Sequence, residues 1–229
     1  MPDPASHLVD GVGLWRELLR APPAGPPRPA LFVDRDGVVI EDAGFVHRPD
    51  QVSLIAGAAA AFACCNRAGV PVVMVSNQSG IGRGLYGWAE FAAVQARMAA
   101  LLAAAGAALD MVLACAYHAD GVGALKVAGH DWRKPRPGML CAAAEAWPID
   151  LARSWIVGDR SRDLAAGRAA GLAGGVLVAT GHGSESSERD AAQLLAGERF
   201  EVRGTRSIAA IDAVLARLGA GLEPARRAR

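Results

Sequence analysis

The chain has 229 residues, 52% of them hydrophobic, and a formal net charge of +1. That length supports one sizeable core and is marginal for two, and the near-neutral balance argues against a nucleic-acid binder that relies on bulk basicity. No apolar run is long enough to span a bilayer, and Asp10, Arg16 and Glu17 break up the N-terminal hydrophobic residues where a signal peptide needs an apolar core. A cytoplasmic protein is therefore expected, with no membrane and no nucleic-acid partner. Cys64, Cys65, Cys115 and Cys141 form no Cys-x-x-Cys and lie mostly in apolar segments, as reduced, packed thiols do. Lys126 and Lys134 are the only lysines in an Arg-rich chain. Composition bias accounts for the arginines; a lysine kept against it is a candidate for a role that Arg cannot fill.

Taken in order, residues 1–29 read as an N-terminal arm and linker. Val9 to Arg20 is expected as a short amphipathic helix carrying Leu14, Leu18 and Leu19, followed by the proline-rich APPAGPPRP. The body, 30–218, begins with ALFVDRDGVVIED, an apolar strand ending in Asp34 and Asp36. Residues two apart in extended chain point the same way, so both carboxylates can face one site. After a loop from Glu41 to Ser53, a helix is expected over Ala56 to Ala68, stopped by Gly69. A second strand, Pro71 to Val75, ends in Ser76 and Asn77, and a glycine-rich loop leads to a helix from Trp88 to Ala105. Met111 to Ala116 is a third strand, followed by a long loop to Arg133; a helix opens near Pro137 and runs to Ala146. Ser154 to Val157, ending GDRSRD, is a fourth strand, Asp163 to Ala170 a helix, and Gly175 to Ala179 a fifth strand. A polar loop (Gly181 to Asp190), a last helix (Arg206 to Leu218) and a basic tail (219–229) complete the chain. Strands alternating with helices define an α/β fold: a three-layer, doubly wound, mostly parallel sheet.

In such a sheet the strand ends share one edge, where ligands bind. Asp34, Asp36, Ser76, Lys134, Asp159 and Asp163 all fall at that edge or on elements leaving it. Three or more carboxylates, a lysine and a hydroxyl suit a divalent cation and a phosphate. Mg²⁺ prefers hard oxygen ligands such as Asp34 and Asp159. One aspartate can attack phosphorus and form an acyl phosphate, and the other can move the proton. Lys134 and Ser76 can hold the phosphoryl oxygens, where transition-state charge collects. The plainer alternatives are turn-forming aspartates and, for Asp163, a first-turn helix acid.

The segments LFVDRDGVV, VVMVSNQSGIGRG, RKPRPGM and IVGDRSRD, in this order, resemble the haloacid dehalogenase (HAD) superfamily of phosphohydrolases. The resemblance is nearer to its heptose bisphosphate 7-phosphatase and histidinol-phosphatase families. It implies that Asp34 is the nucleophile and Asp36 the general acid/base. It implies Mg²⁺ on Asp34, the Asp36 carbonyl and Asp159, with Ser76 and Lys134 on the transferred phosphoryl group and Asp163 placing Lys134 or a metal-bound water. Asp42, Ala43, Gly44 and Phe45, together with Asn77, Gln78, Ser79, Arg133 and Arg160, match substrate-contacting positions, Arg133 being assigned to the distal phosphate. Arg83 stands between a substrate contact and a helix-start role. Relatives carry a structural zinc on Cys-x-His and Cys-x-Cys; here those positions read Cys115-Ala-Tyr117 and His130-Asp-Trp132, with His118 one place late. Tyr and Trp do not normally bind zinc, so zinc is not expected, Cys115, His118 and His130 are the remaining candidates, and the loop is expected to hold through Tyr117, Trp132 and its glycines. The spacing between motifs leaves no room for a cap domain. The expected protein is a capless monomer that hydrolyses a small phosphorylated sugar. The substrate implied is the 7-phosphate of heptose 1,7-bisphosphate, with histidinol phosphate or another small sugar phosphate as the alternative and a binding or scaffold role as the non-enzymatic one.

Overall fold

The computed structural model describes residues 4–219. The basic tail expected at 219–229 lies, from residue 220, outside the described residues. Seven strands form one sheet in the order β1-β4-β3-β2-β5-β6-β7: β1 (Leu14–Leu18), β2 (Leu31–Val33), β3 (Val72–Asn77), β4 (Met111–Cys115), β5 (Trp155–Gly158), β6 (Gly174–Val178) and β7 (Glu201–Thr205). All pairings are parallel except that of β1 with β4. The helices are α1 (Ala58–Ala68), α2 (Ser79–Gly82), α3 (Trp88–Ala104), α4 (Gly138–Ala146), α5 (Ser161–Ala169), α6 (Ser186–Gln193) and α7 (Asp212–Gly219).

The period of two in the strands builds two cores. Leu31 and Val33 of β2, with Val72 and Met74 of β3, pack with Phe62 of α1, Met98 of α3 and Val214 of α7. Phe32, Val73, Val75 and Ile156 pack on the other face with Leu140 of α4, Leu164 of α5 and Ala192 of α6. Both faces are covered, which is why these strands read as unbroken apolar runs. Helix α1 ends at Gly69, whose φ of +69° suits glycine at a helix C-terminus. Among the described residues no domain is inserted between β2 and β3 or between β3 and β4, and the fold is capless.

The sheet corrects several expectations. Val9 to Arg20 is not a helix. Asp10 Oδ1 accepts from the backbone N–H groups of Val12, Gly13 and Leu14 at 3.0, 2.9 and 3.1 Å, and the turn feeds β1, which closes the exposed edge of β4. Leu14 and Leu18, four apart, fit a helical and an extended pattern equally. Gly11 and Gly13 weigh against the helix, and the need to pair the edge of β4 decides the outcome. The region 181–190 carries a 3-10 turn (Gly181–Ser184) and most of α6 rather than loop, and 206–218 is a 3-10 turn (Ile208–Ala210) followed by α7. Strand β7 was not anticipated, because Glu-Val-Arg-Gly-Thr at an edge carries no apolar alternation.

Trp15 ties β1 to the body. It is 1% exposed, stacks on Trp88 at 5.4 Å and meets Phe91 edge-on at 5.3 Å. Trp15→Ala is expected to cost about 3–5 kcal/mol, read as a lowered urea midpoint at unchanged slope; a loosely packed arm would give a loss below about 0.5 kcal/mol.

Candidate active site

The chain runs from β2 to β3 and β4 on one side and returns to β5 on the other side of β2. The crevice of an open α/β sheet lies at such a reversal, outside the strands' carboxyl ends. Asp34 directly follows β2 and Asp159 directly follows β5, and Asp34 N–H donates to the Val157 carbonyl at 3.0 Å. Two glycines hold the backbone close around Asp159. Gly37 (φ +75°) and Gly181 (φ +59°) both have left-handed backbone, and a Cβ on either would lie 2.6 or 2.3 Å from Asp159 Oδ2. That oxygen accepts from the His182 N–H at 2.9 Å.

Beneath the crevice lies a buried charge cluster. Lys134 is 2% exposed. Its Nζ donates to Asp34 Oδ1 and to the Val75 carbonyl, each at 2.8 Å, and forms an ion pair with Asp163 Oδ1 at 2.8 Å. Oxygens of Asp34, Asp159 and Asp163 lie within 4.8 Å of one another. Burial works against the Lys134 ammonium, but Asp163 and Asp34 outweigh it and hold its pKa above the usual range. Burial, with repulsion from Asp34 and Asp163, pushes Asp159 up to about 7. Burial likewise raises Asp163, against the pull of Lys134. Three acids share one cation here, which leaves an excess of negative charge among oxygen donors and fits a hard divalent cation. Asp163 also caps the first turn of α5, its Oδ2 accepting the Arg160 N–H at 3.0 Å.

Ser76, Asn77 and Gln78 are more engaged with protein than a substrate-contact reading implies. The Asn77 side-chain amide clamps the Lys134 peptide from both sides: it donates to the carbonyl at 3.0 Å and accepts from the N–H at 3.1 Å. Gln78 Nε2 donates to Ser76 Oγ at 2.7 Å, and Tyr86 donates to Gln78 Oε1 at 2.8 Å. Since Ser76 Oγ accepts from Gln78, its own proton is free for another acceptor. Asp36 is gripped by Arg35, whose Nε lies 3.1 Å from both carboxylate oxygens. Burial, aided by Asp34 and Asp42, raises the Asp36 carboxyl above the usual range despite that partner.

The cleft above holds about 330 Å³. Asp34, Asp36, Asp42, Gly44, Phe45, Asn77, Gln78, Ser79, Asp159, Arg133 and Arg160 line it, so most of the sequence-predicted residues converge; Ser76, Lys134 and Asp163 form its buried underside, and Ala43 does not line it. Five further lining residues carry no assignment from sequence: Arg35, Gly80, Tyr86, Arg162 and His182. Arg35 stands between the two aspartates and was legible by position. His182 joins two loops, with Nε2 3.3 Å from Asp42 Oδ2 and Nδ1 2.7 Å from Glu185 Oε1, a juxtaposition no local pattern announces. Arg83 lines the cleft as well as pairing with Asp120 at 3.2 Å. Burial, with the nearby Arg162 and Arg83, lowers the Arg133 pKa.

The zinc candidates have other partners. Cys115 is buried in β4, and burial pushes its thiol up to about 11. His118 Nδ1 accepts from Asp120 N–H at 2.9 Å, and His130 Nδ1 accepts from Trp132 N–H at 3.1 Å. The Tyr117 ring stacks on His130 at 4.4 Å, and its hydroxyl donates to Asp10 Oδ2 at 2.6 Å. Among the described residues, Cys115, His118 and His130 do not form a three-ligand group.

A doubly wound sheet with paired aspartates, a buried lysine and an acid cluster at its reversal point defines a phosphohydrolase of the α/β class. A family model described as HAD-hydrolase-like matches residues 131–197. The D-glycero-beta-D-manno-heptose-1,7-bisphosphate 7-phosphatase of Mesorhizobium japonicum is 48% identical over 172 residues, covering 75% of this chain and 79% of its own length. The D-glycero-D-manno-heptose-1,7-bisphosphate 7-phosphatase of Thermosynechococcus vestitus is 43% identical, over 71% and 84%. Among solved structures, the D,D-heptose 1,7-bisphosphate phosphatase of B. bronchiseptica, complexed with magnesium and phosphate, superposes with a TM-score of 0.70 at 35% identity, covering 82% of this chain and 98% of that one. The chain belongs to the HAD hydrolases and, within them, to the family these heptose bisphosphate phosphatases form; it is a phosphoric monoester hydrolase.

Proposed function

We propose that this chain removes the 7-phosphate of D-glycero-D-manno-heptose 1,7-bisphosphate by way of an aspartyl phosphate. Asp34 attacks phosphorus, its carboxylate oxygen forming the new P–O bond as the bond to the sugar oxygen breaks. Asp36 gives its proton to that departing alkoxide, and the raised Asp36 carboxyl supports an acid that is protonated when needed. With the alcohol gone, the Asp36 carboxylate takes a proton from water, which attacks the acyl phosphate and regenerates Asp34. Ser76, whose hydroxyl proton is free, donates to a phosphoryl oxygen. Lys134, whose Nζ lies 2.8 Å from Asp34 Oδ1, orients the attacking carboxylate and brings positive charge to the phosphoryl side. Asp34, Asp159 and the Asp36 carbonyl would hold Mg²⁺, which when bound offsets repulsion between the attacking carboxylate and the phosphate. The catalytic unit we take to run from β1 to α7, as a cytoplasmic monomer whose Cys115–Trp132 loop holds without zinc.

The observation that carries the substrate reading is the charge layout of the cleft. Besides the aspartates, its lining holds Arg83, Arg133, Arg160 and Arg162. A substrate with a second phosphate gives these cations an anionic partner, whereas histidinol phosphate would bring a cationic amine toward arginines. Side-by-side kinetics with heptose 1,7-bisphosphate, a heptose monophosphate and histidinol phosphate, with and without Mg²⁺, test this. The bisphosphate is expected to give the largest kcat/KM by at least about tenfold, the equivalent of one modest charge pair; a larger value for histidinol phosphate overturns the reading.

Metal affinity carries its own pH signature. Burial and then Asp34 and Asp163 push the Asp159 carboxyl up to about 7, and a ligand must be deprotonated to bind. Mg²⁺ should therefore bind more tightly as pH rises through about 7, with release of a proton. Calorimetric titrations in buffers of different ionisation enthalpy measure both effects; a pH-independent affinity would exclude Asp159 as a ligand.

A further inference from the structure

Arg35 lies between Asp34 and Asp36, yet its side chain is 1% exposed. Its guanidinium is fixed from three directions. Nε lies 3.1 Å from each Asp36 oxygen and Nη2 3.0 Å from Oδ1. Nη2 also donates to the Val46 carbonyl at 3.3 Å, and the group sits over the Phe91 ring at 5.7 Å. Phe91 is itself held edge-on by Trp15 and Trp88, each at 5.3 Å. The remaining nitrogen, Nη1, is buried and makes no hydrogen bond, with the Tyr86 hydroxyl as a neighbouring polar group of the guanidinium. Leaving a donor unpaired costs stability, and burying a guanidinium costs more unless its geometry is well matched. An apolar side chain of similar shape would avoid both costs. The specific return on the guanidinium is at Asp36: a planar fork holds the carboxylate by both oxygens, and the fork is anchored to a strand-covering helix rather than to solvent.

We propose that Arg35 is a positioning residue which, braced by Phe91 and the Val46 carbonyl, fixes the Asp36 carboxyl in the orientation that delivers its proton to the departing alkoxide. The inference rests on the reading of Asp36 as the general acid. Aligning a proton donor matters only where the leaving group needs a proton. A sugar alkoxide needs one; p-nitrophenolate leaves readily without.

The test is therefore the dependence of kcat/KM, which covers the steps up to departure of the alcohol, on the leaving group. Arg35→Met, Arg35→Lys, Asp36→Asn and the double variant Arg35→Met/Asp36→Asn are assayed with heptose 1,7-bisphosphate and with p-nitrophenyl phosphate. Arg35→Met is expected to lower kcat/KM about 10²-fold on the sugar phosphate but only about threefold on the aryl phosphate, and Arg35→Lys, which keeps charge but loses the fork, should fall between it and wild type. In the Asp36→Asn background the Arg35→Met penalty on the sugar phosphate should vanish, since the two act as a unit. Equal losses on both substrates, or a penalty that persists in that background, overturn the inference. Should the Met variant fail to fold, the same comparison on Arg35→Lys and Phe91→Leu decides it by the same criterion. If Asp36→Asn itself shows no leaving-group dependence, the general-acid reading of Asp36 has failed, and that result is distinct from a failure of Arg35 alone.

Discussion

Asp34→Asn is expected to abolish phosphate release while leaving the fold intact, with a fall in kcat on the order of 10⁴ or more. The amide is close to isosteric, and its oxygen can still accept from Lys134, which keeps its second partner, Asp163, at 2.8 Å. What it cannot do is attack phosphorus. Stability should hold or rise slightly, because the substitution removes one of three crowded carboxylates. Asp159, whose carboxyl is pushed to about 7 by burial and then by Asp34 and Asp163, should titrate lower in the variant. The measurement is paired: Mg²⁺-dependent phosphate release under single-turnover conditions, and the thermal midpoint of the same sample. Activity within about tenfold of wild type would rule out Asp34 as the nucleophile. A collapsed thermal midpoint would instead show that the carboxylate is chiefly structural.

The parts of this site legible in sequence are those encoded by strand ends. Asp34 and Asp36 end a run, Leu31 to Val33, that is fully buried, and a buried parallel strand followed by polar residues is a local signal. Asp159 follows Trp155–Gly158 in the same way. Lys134 is different. Its partners are 100 and 29 positions away, and no local pattern marks it; its rarity in an Arg-rich chain and the ordered set of motifs do. Missed features share one cause, dependence on a distant neighbour. Strand β1 exists because β4 has an edge to cover, yet Leu14 and Leu18 alone suit either structure. Strand β7 is polar because it is the opposite edge. Asn77 and Gln78 read as substrate contacts while their amides are taken up by the Lys134 backbone and by Ser76 and Tyr86. His182 meets Asp42 only because the turn after β6 folds over the crevice, and glycine at 37 and 181 lets it approach. Helix and strand bounds elsewhere agree within a few residues, since apolar periodicity and a stop such as Gly69 are local properties.

The second large effect concerns the one cation in the buried cluster. Lys134→Met should lose activity severely and also destabilise the metal-free protein by about 3–5 kcal/mol at neutral pH, the cost of breaking a buried ion pair from one side. Met matches the stem of the lysine, so the loss is electrostatic rather than a cavity. The pH dependence distinguishes the two. In wild type the Lys134 pKa is held above its usual value by Asp163 and Asp34, so its stabilising effect is complete below the unfolded lysine pKa and is lost only at strongly alkaline pH. Without the ammonium, Asp163 faces Asp34 and Asp159 in a dry site with its main opposing charge gone, and its carboxyl, already raised by burial, rises further above the unfolded carboxylate value. A carboxyl raised on folding binds more protons in the native than in the unfolded state, so stability falls as pH rises through that window. The deficit of Lys134→Met relative to wild type should thus narrow in mild acid and widen toward neutrality. Added Mg²⁺ should narrow it again, because a second source of positive charge reaches the same oxygens. Urea denaturation across pH, with and without Mg²⁺, reads all three trends. A deficit constant with pH and indifferent to Mg²⁺ would mean that Lys134 acts by packing, and that the acids at the reversal of the sheet do not depend on it to coexist.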